Sequence, residues 1–138
     1  MRIEELSIEN WVKVNYGLGK NQIFKVVSIT EENFVYLYNK EMDKGYALGH
    51  LISELDPVYI QDVIDKLGFE KKVDGRFEYY EIIDDYYDIR MAEYSDGMYE
   101  ISAVNCEFNM PIKTILTSCV HTLQNFLTMV NADKKIEL

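Results

Sequence analysis

Apolar and polar residues alternate from Trp11 to Tyr16 (WVKVNY), as they do on a half-buried strand. GLGKN (17–21) follows, with two glycines able to take the positive φ of a turn. The β-branched run IFKVVSI (23–29) predicts a second strand. TEEN (30–33) is a tight polar connection, and FVYLY (34–38) is a third strand. NKEMDKG (39–45) reads as a loop, and YALGHLI (46–52) as a fourth strand. Short strands and tight turns at this density predict a small SH3-like barrel over residues 1–55. So short a chain protects its sheet edges most simply by curling the sheet closed.

The period then changes. Val58, Ile60, Val63, Ile64 and Leu67 recur at helical spacing, with Asp56 as N-cap, Pro57 at the first helical position and Gly68 at the left-handed C′ position. Residues 73–108 return to alternation, with turn signals at Asp74-Gly75 and Ser95-Asp96-Gly97. RFEYYEII, YYDIRMAEY and MYEISAVNCEF predict a three-stranded antiparallel meander. Its core face holds Ile89, Met91, Ile101 and Ala103, with Tyr87 and Tyr99, and its other face Asp88, Arg90, Glu100 and Ser102. Pro111 opens a second helical pattern that runs to Val130 (PIKTILTSCVHTLQNFLTMV). The expected fold class is α+β: an SH3-like barrel (1–55), then a helix–meander–helix subdomain (56–138), the two packed as one unit.

Charge changes this picture for function. The net charge is −10. Residues 56–110 hold fourteen acids and five bases, whereas 111–138 hold two acids and three bases. Phosphate backbones are bound by clustered Lys and Arg, and no such cluster is present, so no nucleic-acid partner is expected. A basic protein partner suits the acidic middle of the chain. The start carries acids where a signal peptide needs bases and then an apolar run, and no stretch has the roughly 20 apolar residues of a membrane span. With two cysteines, Cys106 and Cys119, and no disulfide framework, the expected compartment is the cytoplasm, away from membranes.

Several short patterns suggest chemistry and lose it on inspection. Asp84, Asp85 and Asp88 (DDYYD) could hold a divalent cation if helical, but their flanks alternate as strands do. GLGKN lacks the Ser or Thr and the helix that a phosphate loop requires. Cys119 and His121, two apart on a helix, point roughly 200° from each other and cannot share a metal. No cofactor, metal site or catalytic residue is expected.

Two sets of binding residues stand out. Residues 74–107 contain ten acids, two bases and six of the eleven tyrosines. Neighbours on a strand point to opposite faces, so each of the Tyr79–Tyr80 and Tyr86–Tyr87 pairs sends a ring outward. Tyr79 and Tyr86 among Asp84 and Asp88 make an aromatic, acidic contact surface. The other set is His121, Gln124 and Asn125, on one flank of the last helix. That flank has no charged side chain between Lys113 and Asp133, which suits a covered face.

Three segments carry a resemblance. LSIENWV (6–12), ISELDPVYIQDVIDKLGFEK (52–71) and VHTLQNFL (120–127) are similar to the opening strand, the Pro-started helix ending in Gly-Phe, and the HxLQN helix of a group of small proteins from phage and mobile-element regions of gut anaerobic bacteria. The resemblance implies architecture and a genetic setting, not a mechanism. The expected function is a non-catalytic protein-interaction factor, an accessory protein acting on a host protein. The alternative is a small-molecule or nucleotide-binding protein with its cleft between barrel and meander.

Overall fold

The computed structural model describes residues 1–41, 48–83, 87–105 and 107–138. The chain divides into two units, Met1–Val58 and Tyr59–Leu138.

Strands of the first unit form where the sequence alternates. β1 (Trp11–Val14), β2 (Ile23–Ile29) and β3 (Phe34–Tyr38) run antiparallel, with β4 (Leu48–Leu51) beside β3 and β5 (Leu55–Pro57) beside β1. Val12 pairs with Phe24 and Val26 with Leu37, so alternate residues of three strands share one face. Val12, Val14, Phe24, Val26, Val35 and Leu37 are buried there with Leu6 and Leu55. Each such side chain contributes roughly 2 kcal/mol by leaving water. A 3-10 turn at Ile3–Glu5 brings Met1 and Ile3 against the same cluster.

This sheet does not close into the expected SH3-like barrel. β4 and β5 are its two edges, and no ladder joins them among the described residues. Shortness protects the edges instead: β4 has four residues and β5 three. Asp56 and Pro57, which read as a helix start, belong to β5, opposite Lys13 and Val12. An edge strand tolerates proline, and Asn15 Nδ2 donates to Asp56 Oδ1 at 2.9 Å. On β4, Gly49 lies opposite Tyr36. A Cβ there would sit 2.5 Å from Phe34 Cε1 and 3.3 Å from Tyr36 Cε1, so the Phe34 ring lies directly on the Gly49 backbone.

The second unit begins with α1 (Ile60–Val63) and a 3-10 turn at Ile64–Lys66, shorter than the helix read over 56–69. Gly68 then takes φ 81, the left-handed conformation expected of it. Five antiparallel strands follow in meander order: β6 (Glu70–Asp74), β7 (Phe77–Ile83), β8 (Tyr87–Ser95), β9 (Met98–Asn105) and β10 (Met110–Thr117). The α2 helix (Val120–Met129) buries Val120, His121, Leu123, Phe126 and Leu127.

The expected α+β class is therefore replaced by a mostly β fold: among the described residues, two five-stranded antiparallel sheets with two short helices. The meander has five strands where three were expected. β6 (EKKVD) is charged enough to read as a loop, and charge is how an edge strand guards itself. β10 was read as the first half of a helix, because Ile112, Ile115 and Leu116 also fit helical spacing. Its β-branched Ile112, Thr114, Ile115 and Thr117 favour the strand, and Pro111 sits at an edge beside a bulge between Pro111 and Lys113. No helix among the described residues is long and apolar enough to cross a membrane.

Candidate functional site

The meander has one covered and one open face. Ile89, Met91, Ile101 and Ala103 are fully buried, as alternation predicts. Lys113 pairs with Ala103, and its Nζ reaches Met129 Sδ of α2 at 3.2 Å. The α2 helix therefore lies on that covered side.

The register lays the open face out in transverse rows. Glu81, Arg90, Ser102 and Thr114 face each other in sequence across β7, β8, β9 and β10. Ile83, Asp88, Val104 and Pro111 form a second row. Ala92, Glu100 and Leu116 form a third, one step along the strands in the other direction. Lys72 and Tyr79 are cross-strand partners on the same face.

Arg90 organises the centre. Its Nε donates to Asp88 Oδ2 at 2.9 Å and to Glu81 Oε2 at 3.3 Å. Its Nη2 lies 2.8 Å from Asp88 Oδ2 and donates to Asn109 Oδ1 at 3.3 Å. The guanidinium carbon is 5.9 Å from the centre of the Tyr79 ring, within cation–π range. Asn109 reaches in from a left-handed position (φ 51) after β9. Ser102 Oγ and Thr114 Oγ1 are 3.2 Å apart. Tyr79, Arg90, Ala92, Glu100 and Asn109 are among the residues that line an open depression of about 280 Å³.

Burial and charge perturb this group. Burial pushes the Glu81 carboxyl above its ordinary value, the neighbouring Asp88 adds to the shift, and Arg90 opposes it. For Arg90, burial acts to lower the pKa, but Asp88 and Glu81 outweigh it and the guanidinium is held more firmly protonated. Asp88 Oδ1 is buried with no hydrogen-bond partner among the described residues. Two carboxylates cannot hydrogen-bond without a proton, so protonated Glu81 can offer Asp88 a donor and ionised Glu81 cannot.

The structure joins two of the sequence-derived binding residues, Tyr79 and Asp88, through Arg90. Asp84 and Tyr86 lie outside the described residues, as do Asp85 and Cys106. His121, Gln124 and Asn125 are elsewhere, on α2 at the covered side, with His121 buried and the other two half-buried. Glu81, Arg90 and Asn109 were missed as site residues. Arg90 carried a signal: it is one of only two bases in the acidic stretch 74–107. Among the described residues no group of three or more His, Cys, Asp or Glu could hold a metal ion. Comparison of the chain with protein-family models, curated proteins and solved structures found no match.

Proposed function

We propose that this protein is a non-catalytic interaction factor that docks a basic partner protein on the open face of its second sheet. The observation that carries the reading is that face's composition. Phe77, at 79% exposed, and Ile83, at 73%, lie on it beside the half-buried Tyr79, with Leu116 across the sheet. Around them, among the described residues, stand five acids, Glu70, Asp74, Glu81, Asp88 and Glu100, against two bases, Lys72 and Arg90. Both bases are engaged: Lys72 with Glu70 at 3.1 Å, and Arg90 with Asp88 and Glu81. Exposed rings supply contact area, and unneutralised acids attract a partner of opposite sign. The resemblance to phage and mobile-element proteins makes a host protein the natural partner of such an accessory factor.

The test is cross-linked capture in the native host, followed by reconstitution of the recovered protein with purified chain. Phe77→Ser combined with Glu100→Lys should slow association on the order of ten-fold and flatten its salt dependence. Both positions are exposed, so folding should survive. Unchanged association kinetics for the double variant would sink the reading.

A further inference from the structure

β10 is the outer strand of the second sheet and pairs only with β9 among the described residues. The other edges are guarded: β4 and β5 are short, and β6 carries Glu70, Lys71, Lys72 and Asp74, whereas β10 is guarded only at its start, by Pro111 and the bulge between Pro111 and Lys113. β10 has eight residues and one charge, Lys113, while its Met110, Ile112 and Leu116 are more than half exposed. An open, apolar strand edge of this length is a template for another strand.

The elements beside it share this lack of charge. Positions 114–132 contain no Asp, Glu, Lys or Arg, in a chain where such residues make up 28%. The run covers half of β10 and all of α2. On α2, Thr122, Gln124 and Asn125 are half-buried, and Thr128 and Met129 are exposed. Solvated helix faces normally carry Glu and Lys, whereas the core of an interface is depleted of charge.

We propose that two copies of this chain join through β10, antiparallel about a two-fold axis at Thr114, to make one continuous sheet with the two α2 helices side by side across the axis. This goes beyond the docking face: it uses the outer edge of the sheet, and of the docking residues Leu116 alone belongs to both. The strand is complementary to itself in that register. Thr114 meets Thr114 of the second copy and Lys113 meets Ile115, so the strand's only charge never faces its own kind, while Ile112, in the bulge between Pro111 and Lys113, stands across from Leu116. Pro111, which lacks an N–H, falls opposite Thr117 and ends the ladder. The chain's net charge of −10 does not oppose the join, because most of the excess lies in 56–110, with fourteen acids against five bases, whereas 111–138 carries three bases and two acids. A strand pair alone is smaller than the roughly 1,000 Å² of a stable interface, so the join requires the uncharged α2 face as well.

Sedimentation equilibrium of the full chain at micromolar concentration should give twice the monomer mass. Ile112→Lys with Leu116→Lys places lysine opposite lysine at two symmetric positions and should give a monomer with unchanged circular dichroism, whose melting temperature no longer rises with protein concentration. Ile112→Lys with Leu116→Glu places each lysine opposite a glutamate and should restore the dimer in low salt. A monomeric wild type, an open-ended series of larger species, or a dimer that survives the double-lysine change would overturn the proposal. Failure of the Lys/Glu variant to dimerise would overturn the Thr114-centred register.

Discussion

Asp88 and Arg90 stand two residues apart on one face of β8, with Arg90 Nη2 2.8 Å from Asp88 Oδ2. The carboxylate is almost buried, whereas the guanidinium keeps part of its surface in water. This asymmetry decides what each substitution costs. Arg90→Met removes the donors that Asp88 and Glu81 share and leaves two desolvated carboxylates side by side. The expected loss is about 2 kcal/mol, seen as a lower urea midpoint with an unchanged slope. A loss under ~0.5 kcal/mol would mean that water replaces the guanidinium freely.

Glu81 should make stability depend on pH. Its folded carboxyl pKa is raised, so the folded state holds the proton more tightly than the unfolded chain does. The resulting stabilisation is complete below the unfolded carboxyl pKa and is lost as pH rises through the folded one. Glu81→Gln supplies the neutral form at every pH. The variant should melt higher than wild type at neutral pH, and the two should converge as the pH falls toward roughly 4. A variant that melts lower than wild type at pH 7 would show that the bond to Arg90 outweighs desolvation.

Gly68 and Asp56 should respond differently, although both read as ends of one helix. Gly68 has φ 81, and a Cβ there would lie 3.1 Å from Lys134 Cε. Gly68→Ala should cost about 1–2 kcal/mol. Among the described residues Asp56 caps no helix, and its side chain bonds to Asn15 at the exposed rim of β5. Asp56→Ala should stay within about 0.5 kcal/mol of wild type. Paired thermal melts distinguish this from the cap, whose loss would cost on the order of 1 kcal/mol.

The end of α2 offers a stabilising change. Asn131 has φ 55 and donates its N–H to Thr128 O at 3.1 Å, while Ala132 N–H reaches Leu127 O at 2.9 Å. These are the two bonds of a Schellman cap with asparagine at its left-handed position. Asn131→Gly relieves the Cβ strain and should raise the melting temperature, by an increment worth up to about 1 kcal/mol. A lower melting temperature would show that the Asn131 side chain holds the cap by its own contacts.

Strands that alternate between core and solvent were legible from single residues. β2 and β3 fall where IFKVVSI and FVYLY place them, and Ile89, Met91, Ile101 and Ala103 are all buried. The elements not recognised as strands are β5, β6 and β10, all of them edge strands. An edge is paired on one side only, so charge in Glu70–Asp74, proline in Leu55–Pro57 and a bulge after Pro111 are tolerated, and those features read locally as loop or helix. Closure of the first sheet was equally hidden, because it depends on whether two distant edges meet. At the site, Tyr79 and Asp88 were legible as an outward ring beside an acid. The network was not, because it depends on register: Glu81 and Arg90 are nine residues apart in sequence and meet only once β7 and β8 are aligned.

The ring of Phe34 resting on Gly49 bears on how the first sheet assembles. Positions 39–47 separate β3 from β4, too long a connection to dictate alignment as a two-residue hairpin would. Sliding β4 by one position would bring Leu48 or His50 beneath the ring, with a side chain where the space admits only hydrogen. The glycine thus acts as a keyway: β4 can close against β3 only in the alignment that leaves Phe34 room, and misaligned pairings are rejected before the edge strand locks. Gly49→Ala should therefore slow refolding and yield chains whose β4 amides exchange freely.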